Sequence, residues 1–120
     1  MKFNTLTPIL WTSDLTATIE FYTAKLGFIL EEYNSDWGWC NLKKDDIFLM
    51  FSNPPQHALF EKAIATGTFY FNVDKVDEIW QEIHEQVEVY YPLENFDYGM
   101  KEFAIKDNNG YILQFGSPIE

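Results

Sequence analysis

The sequence predicts an α+β protein built from two copies of one βαβββ unit, each forming a curved mixed sheet set around a cleft. Three observations carry that prediction. The order strand, amphipathic helix opened by Asp, three strands occurs twice along the 120 residues. Residues 46–52 match residues 110–116 in pattern, Asp-Ile-Phe-Leu-Met-Phe-Ser against Gly-Tyr-Ile-Leu-Gln-Phe-Gly. Asp107-Asn108-Asn109-Gly110, between two β-forming runs, has hairpin chemistry, because Asn and Gly tolerate positive φ and an Asp or Asn side chain bonds the backbone two residues on. Each such sheet has an apolar inner face that must be covered, which implies a pseudo-twofold.

Residues 6–12 alternate loosely and are rich in β-formers, giving a first strand with Pro8 near its start, where a missing N–H is tolerated at an edge. Ser13-Asp14 supplies a helix N-cap. Leu15, Ile19, Tyr22 and Leu26 recur at helical spacing, and Gly27 closes that helix as an αL cap. Strands are expected over 28–33, 37–43 and 47–52, with Lys44-Asp45-Asp46 turning between the last two. Residues 53–66 read as a connection with one short helix, a candidate flap. The grammar then restarts: a β run over 67–73, Asp74 as N-cap, and a helix carrying Val76, Ile79, Trp80 and Ile83. Residues 87–93 form a strand in which Pro92 marks an edge or bulge. Strands over 101–106 and 111–116 flank the hairpin turn. One domain is expected, with module one over 1–53, a linker over 54–66 and module two over 67–120.

Composition narrows the partners. Net charge is −11, with 19 acidic residues against 8 lysines and no arginine. Nucleic acid and anionic membrane are poor partners for that field, and the guanidinium fork that suits phosphate is missing; a cationic or neutral ligand suits it better. Eleven Phe, seven Tyr and four Trp exceed what packing needs, so some rings are candidates to line a site. Cys40 is the only cysteine, so no internal disulfide is possible. No run reaches the ~18 apolar residues of a membrane helix, and no apolar leader precedes the first strand, so a cytoplasmic location is expected.

Particular residues carry a family resemblance over nearly the whole chain. Thr7-Pro8-Ile9-Leu10-Trp11-Thr12-Ser13-Asp14-Leu15, then Ile19-Glu20-Phe21-Tyr22 and Leu26-Gly27-Phe28, resemble the opening strand and helix of the vicinal-oxygen-chelate superfamily. That superfamily includes glyoxalases, bleomycin-resistance proteins and ring-cleaving dioxygenases. Residues 101–107 with Gly110 resemble its closing signature, although Asn108 stands where proline is usual. The resemblance implies that metal-dependent members place His, Glu, His and Glu at positions occupied here by Thr7, Met50, Thr68 and Gln114. A hydroxyl, a thioether and an amide lack the charge and basicity that hold such a metal against water. No metal and no cofactor are expected, and His57 and His84 lie away from these positions.

The metal-free bleomycin-resistance proteins are the members this chain resembles most. The resemblance implies a homodimer with an exchanged N-terminal strand hinged at Pro8, and an aromatic at Trp39 that stacks on a drug. Period-two reasoning from the four equivalent positions then gives a candidate cleft lining of Thr7, Ile9, Trp11, Trp39, Asn41, Phe48, Met50, Ser52, Thr68, Tyr70, Asn72, Ile112 and Gln114. Three readings stay open. One is a non-catalytic protein binding a cationic or planar aromatic small molecule. Another is a divergent lyase or isomerase lacking the usual metal set, with Glu102 and Tyr98 as its acid–base candidates. The third is an interaction module whose cleft is filled by its own side chains.

Overall fold

Alternation along the strands decides which residues go inside. In the computed structural model, which describes residues 1–120, the chain forms two compact units, Met1–Lys62 and Ala63–Glu120. The first holds β1 (Ile9–Trp11), α1 (Leu15–Glu20), β2 (Ile29–Asn34), β3 (Trp39–Lys44) and β4 (Ile47–Ser52). The second holds β5 (Phe69–Asn72), α2 (Val76–Ile83), β6 (Glu88–Asn95), β7 (Met100–Lys106) and β8 (Ile112–Pro118). Their sheets run β1-β4-β3-β2 and β5-β8-β7-β6, and in each only the first pair is parallel. The predicted βαβββ repeat is therefore present twice with one topology.

Each unit keeps its own core beneath its helix. In the first, Cys40, Leu42, Leu49 and Phe51 of β3 and β4 are buried together with Tyr22, which meets Phe51 at 5.0 Å and Phe28 edge-on at 5.5 Å between ring centroids. In the second, Phe103 stacks on Phe115 at 5.0 Å and takes the edge of Trp80 at 5.1 Å. Each such side chain contributes about 1.5–3 kcal/mol by leaving water. Burial pushes the Cys40 thiol up to about 11, so it packs as a small apolar group and is no nucleophile near neutral pH.

The predicted turns form as read. Asp107 Oδ1 accepts from the backbone N–H groups of Asn109 (2.8 Å) and Tyr111 (2.9 Å), and Gly110 takes φ 92°. Asp14 Oδ1 accepts from the Ala17 N–H at 3.0 Å, and Gly27 closes the helix at φ 76°. Pro92 lies on β6, an edge strand, within a register shift between Tyr91 and Glu94.

Four expectations are corrected. The first helix stays α-helical only to Glu20 and widens into a π-turn over Phe21–Lys25, which lets two adjacent rings, Phe21 and Tyr22, both reach the core. Asp74 does not cap α2: the N-cap is Lys75, one residue later, and the Val76 N–H is met instead by Ser117 Oγ at 3.4 Å. Residues 53–66 contain no helix; Pro54 and Pro55 remove two donors, and a single turn, Ala58 N–H to Pro55 carbonyl, survives. The strand expected from Trp37 begins at Trp39, because Gly38 takes φ 63° and its carbonyl accepts from the Asn53 N–H. No helix is long and apolar enough to cross a membrane.

Candidate functional site

The faces turned away from the helices carry the polar and aromatic residues singled out in the sequence. In the first unit, Ile9 lies beside Met50 and Met50 beside Asn41, while Trp11 lies beside Ser52 and Ser52 beside Trp39. Phe48, two residues from Met50, shares that face, so seven of the eight expected first-unit residues stand together on one sheet side. Thr7 is the eighth and precedes β1. Ile9, Trp11 and Phe48 are exposed, and Phe60 from the connection meets Trp11 edge-on at 6.0 Å. Asn41 is 8% exposed, and its Oδ1 is a buried acceptor with no hydrogen-bond partner.

In the second unit, two cross-strand rungs organise the equivalent face. Tyr70, Gln114, Ala104 and Tyr91 form one; Asn72, Gly116, Glu102 and Glu94 form the next. Glu102 thus lies on the Gln114 side, and the residue is only 1% exposed. Three phenols surround it. Tyr70 donates to Oε2 at 2.5 Å, while Tyr98 and Tyr91 donate to Oε1 at 2.6 and 3.3 Å. Gln114 Nε2 donates to the Tyr91 hydroxyl at 2.7 Å, and the Thr68 hydroxyl donates to Gln114 Oε1. A buried carboxylate must be compensated, and here hydroxyls do so with no cationic side chain among its partners.

Gly116 makes room for this cluster. A Cβ on Gly116 would collide with the Tyr70 hydroxyl, come within 2.9 Å of Tyr70 Cζ and stand 3.0 Å from Glu102 Cγ. The carboxylate also sets the phenol chemistry. Its hydrogen bond, above all, pushes Tyr98 up to about 12. Tyr70 moves the same way through partial desolvation and then the bond to Glu102, although the residue as a whole is 41% exposed. Burial likewise raises Tyr91, against the amide N–H it receives from Gln114. All three therefore keep their protons near neutral pH and serve as donors to Glu102.

Sequence reasoning placed Thr68, Tyr70 and Gln114 in one group, and they do meet. Asn72 shares the face but is exposed, and Ile112 is buried. Tyr91 and Gly116 were not singled out, and Glu102 and Tyr98 were considered only as acid–base candidates, without the facing of Glu102 being fixed. The register pairs residue 102 with 116 and 104 with 114, whereas a four-residue turn over 107–110 would pair 103 with 114 and turn Glu102 to the other face, so a one-residue difference in the turn decides where Glu102 points. A hollow of about 400 Å³ beside the start of α2 lies away from this cluster, on the helix side of β7 and β8, with Asp77 and Lys101 paired there at 2.7 Å.

The donor set does not suit a metal ion. Thr68 and Gln114 are engaged with one another, Met50 offers a thioether, and no three His, Cys, Asp or Glu side chains converge anywhere in the chain. His84 is stacked on Trp80 at 4.5 Å, with Nδ1 2.6 Å from the Trp80 carbonyl.

Two βαβββ units with this strand order define a vicinal-oxygen-chelate protein. The chain belongs to the glyoxalase/bleomycin resistance protein/dioxygenase superfamily, whose sequence profile matches residues 2–115. A crystallised protein of unknown function from Agrobacterium tumefaciens str. C58 superposes with a TM-score of 0.81 at 20% identity, covering 99% of this chain and 97% of that one. A glyoxalase/bleomycin resistance protein/dioxygenase from Nocardioides gives 0.80 at 19% identity, covering 100% and 87%. A lactoylglutathione lyase from Agrobacterium tumefaciens gives 0.76 at 19% identity, covering 95% and 92%. At these identities the likeness is one of fold. No curated protein matches the chain in sequence.

Proposed function

We propose that this chain is a metal-free binding protein of the bleomycin-resistance type, holding a cationic or planar aromatic small molecule against its open sheet faces. The observation that supports it is the makeup of those faces. Where metal-dependent relatives carry ligands, this chain has Thr68 and Gln114 bonded to each other, beside a buried carboxylate compensated only by phenols. Exposed Ile9, Trp11 and Phe48 offer apolar and aromatic surface, and the net charge of −11 favours a cation. Sequestration needs ground-state binding alone, so no catalytic group is required.

A lyase or isomerase would need a base. Glu102 is the buried carboxylate of the second face, but three phenols already occupy its oxygens, leaving it poorly placed to take a proton from substrate. A homodimer with exchange of the N-terminal segment belongs to the same proposal; in the isolated chain β1 pairs with its own β4.

The test is titration with a panel of planar cations, bleomycin among them, read by tryptophan fluorescence and melting temperature. Trp11 and Trp39 lie on the first-unit face and are natural reporters. Binding should weaken as salt is added, because screening shortens the reach of the acidic field. No response to any member of the panel would sink the proposal.

A further inference from the structure

The direction of every hydrogen bond around Glu102 is fixed, and that direction decides what the face can recognise. An ionised carboxylate only accepts, so Tyr70, Tyr91 and Tyr98 must each turn their hydrogen toward it. With its own hydrogen committed, the Tyr91 oxygen can only accept from Gln114, so the amide presents Nε2 to Tyr91. That orientation leaves Gln114 Oε1 for Thr68, whose hydrogen is committed in turn. One buried charge thereby polarises the whole chain of groups out to Thr68, which is exposed.

The surface that results is rich in acceptors and poor in donors. Thr68, Tyr70 and Tyr98 are all exposed, and each retains oxygen lone pairs but no free hydrogen. The second amide hydrogen of Gln114 is the one side-chain donor left among the six residues. Tyr70 and Tyr98 are anchored to opposite oxygens of one carboxylate, which keeps their hydroxyls close together.

We infer that the Glu102 cluster selects organic cations bearing N–H groups, such as primary ammonium or amidinium, over quaternary ammonium ions of the same charge. This rests on the small-molecule binding proposed above and names the chemistry of its ligand. Each N–H would meet a phenol or threonine oxygen backed by the carboxylate, giving charge-assisted bonds that a methylated nitrogen cannot make. Glu102 acts through the hydroxyls, as a positioning residue behind the contact surface.

Calorimetric titration with benzamidine and with phenyltrimethylammonium separates the two ideas, because both carry one positive charge on an aromatic ring and only benzamidine has N–H donors. Benzamidine should bind at least about tenfold more tightly, the worth of one good charge-assisted hydrogen bond. Glu102→Gln should abolish that preference, since the amide supplies its own N–H and releases the direction of the network. Tyr98→Phe, altering a side chain at an exposed position, should reduce benzamidine affinity several-fold while circular dichroism shows the protein still folded, which keeps the test valid if Glu102→Gln fails to fold. Equal affinity for both compounds overturns this inference while leaving cation sequestration standing. If neither compound binds but another planar cation does, the inference falls and sequestration stands; if nothing in the wider panel binds, both fall.

Discussion

Replacing Gly116 by alanine probes the cluster from beneath. Gly116 has no positive φ, so its backbone accepts a side chain, and elsewhere such a change stabilises by about 0.4–1 kcal/mol through the unfolded chain. Here the new methyl would overlap the Tyr70 hydroxyl and press on Glu102 Cγ, 3.0 Å away. Tyr70 is exposed and can swing outward, but doing so breaks its 2.5 Å bond to the carboxylate. A hydrogen bond to a charged group contributes about 1.5–3 kcal/mol. Setting the two effects together leaves a net loss of about 1–2 kcal/mol. In a Tyr70→Ala background the obstructing ring is gone, and the same substitution should be neutral or slightly stabilising. Urea unfolding followed by circular dichroism on the four proteins of this cycle measures both effects and their coupling. A neutral Gly116→Ala in the wild-type background, or an equal loss in both backgrounds, would refute the close packing of Tyr70, Gly116 and Glu102.

Two further predictions follow from the same geometry and from the caps. Tyr98 releases its proton at about 12 when folded against an ordinary value of 10.0, so between these the native chain holds a proton the unfolded chain has lost. Its contribution to stability is therefore complete below pH 10 and fades as pH rises through about 12; Tyr98→Phe should flatten that part of the pH–stability curve, and ultraviolet titration should lose one late-ionising tyrosine. Asp14→Ala should destabilise by about 1 kcal/mol because it removes the cap on Ala17, whereas Asp74→Ala, which caps nothing, should stay within about 0.5 kcal/mol in the same unfolding assay.

The repeat, the Asp107 turn and the alternation of Ile47–Ser52 were legible because they rest on local chemistry: turn residues, caps and a period of two. The sharing of a face by Trp39, Asn41, Met50 and Ser52 follows from the same alternation once the pairing is known. Asp74 misled because a cap depends on where the backbone enters the helix, and a one-residue shift to Lys75 removes it. The π-turn after Glu20 answers to the fit of two adjacent rings in a core, which no linear pattern encodes.

By itself the sequence determined two βαβββ units and an acidic chain without arginine, and the family resemblance set Thr7, Met50, Thr68 and Gln114 at the positions where metal-dependent members carry ligands. The sequence left open which way Glu102, on the first strand of the hairpin, faces. Only the tertiary structure decided that this carboxylate is ringed by Tyr70, Tyr91 and Tyr98. Those phenols come from three separate places, β5, a bulged edge strand and the loop after it, and their convergence depends on sheet register and a register shift at Pro92. Local propensity specifies each of those segments; which hydroxyls they bring to one buried charge is set by packing across strands distant in sequence.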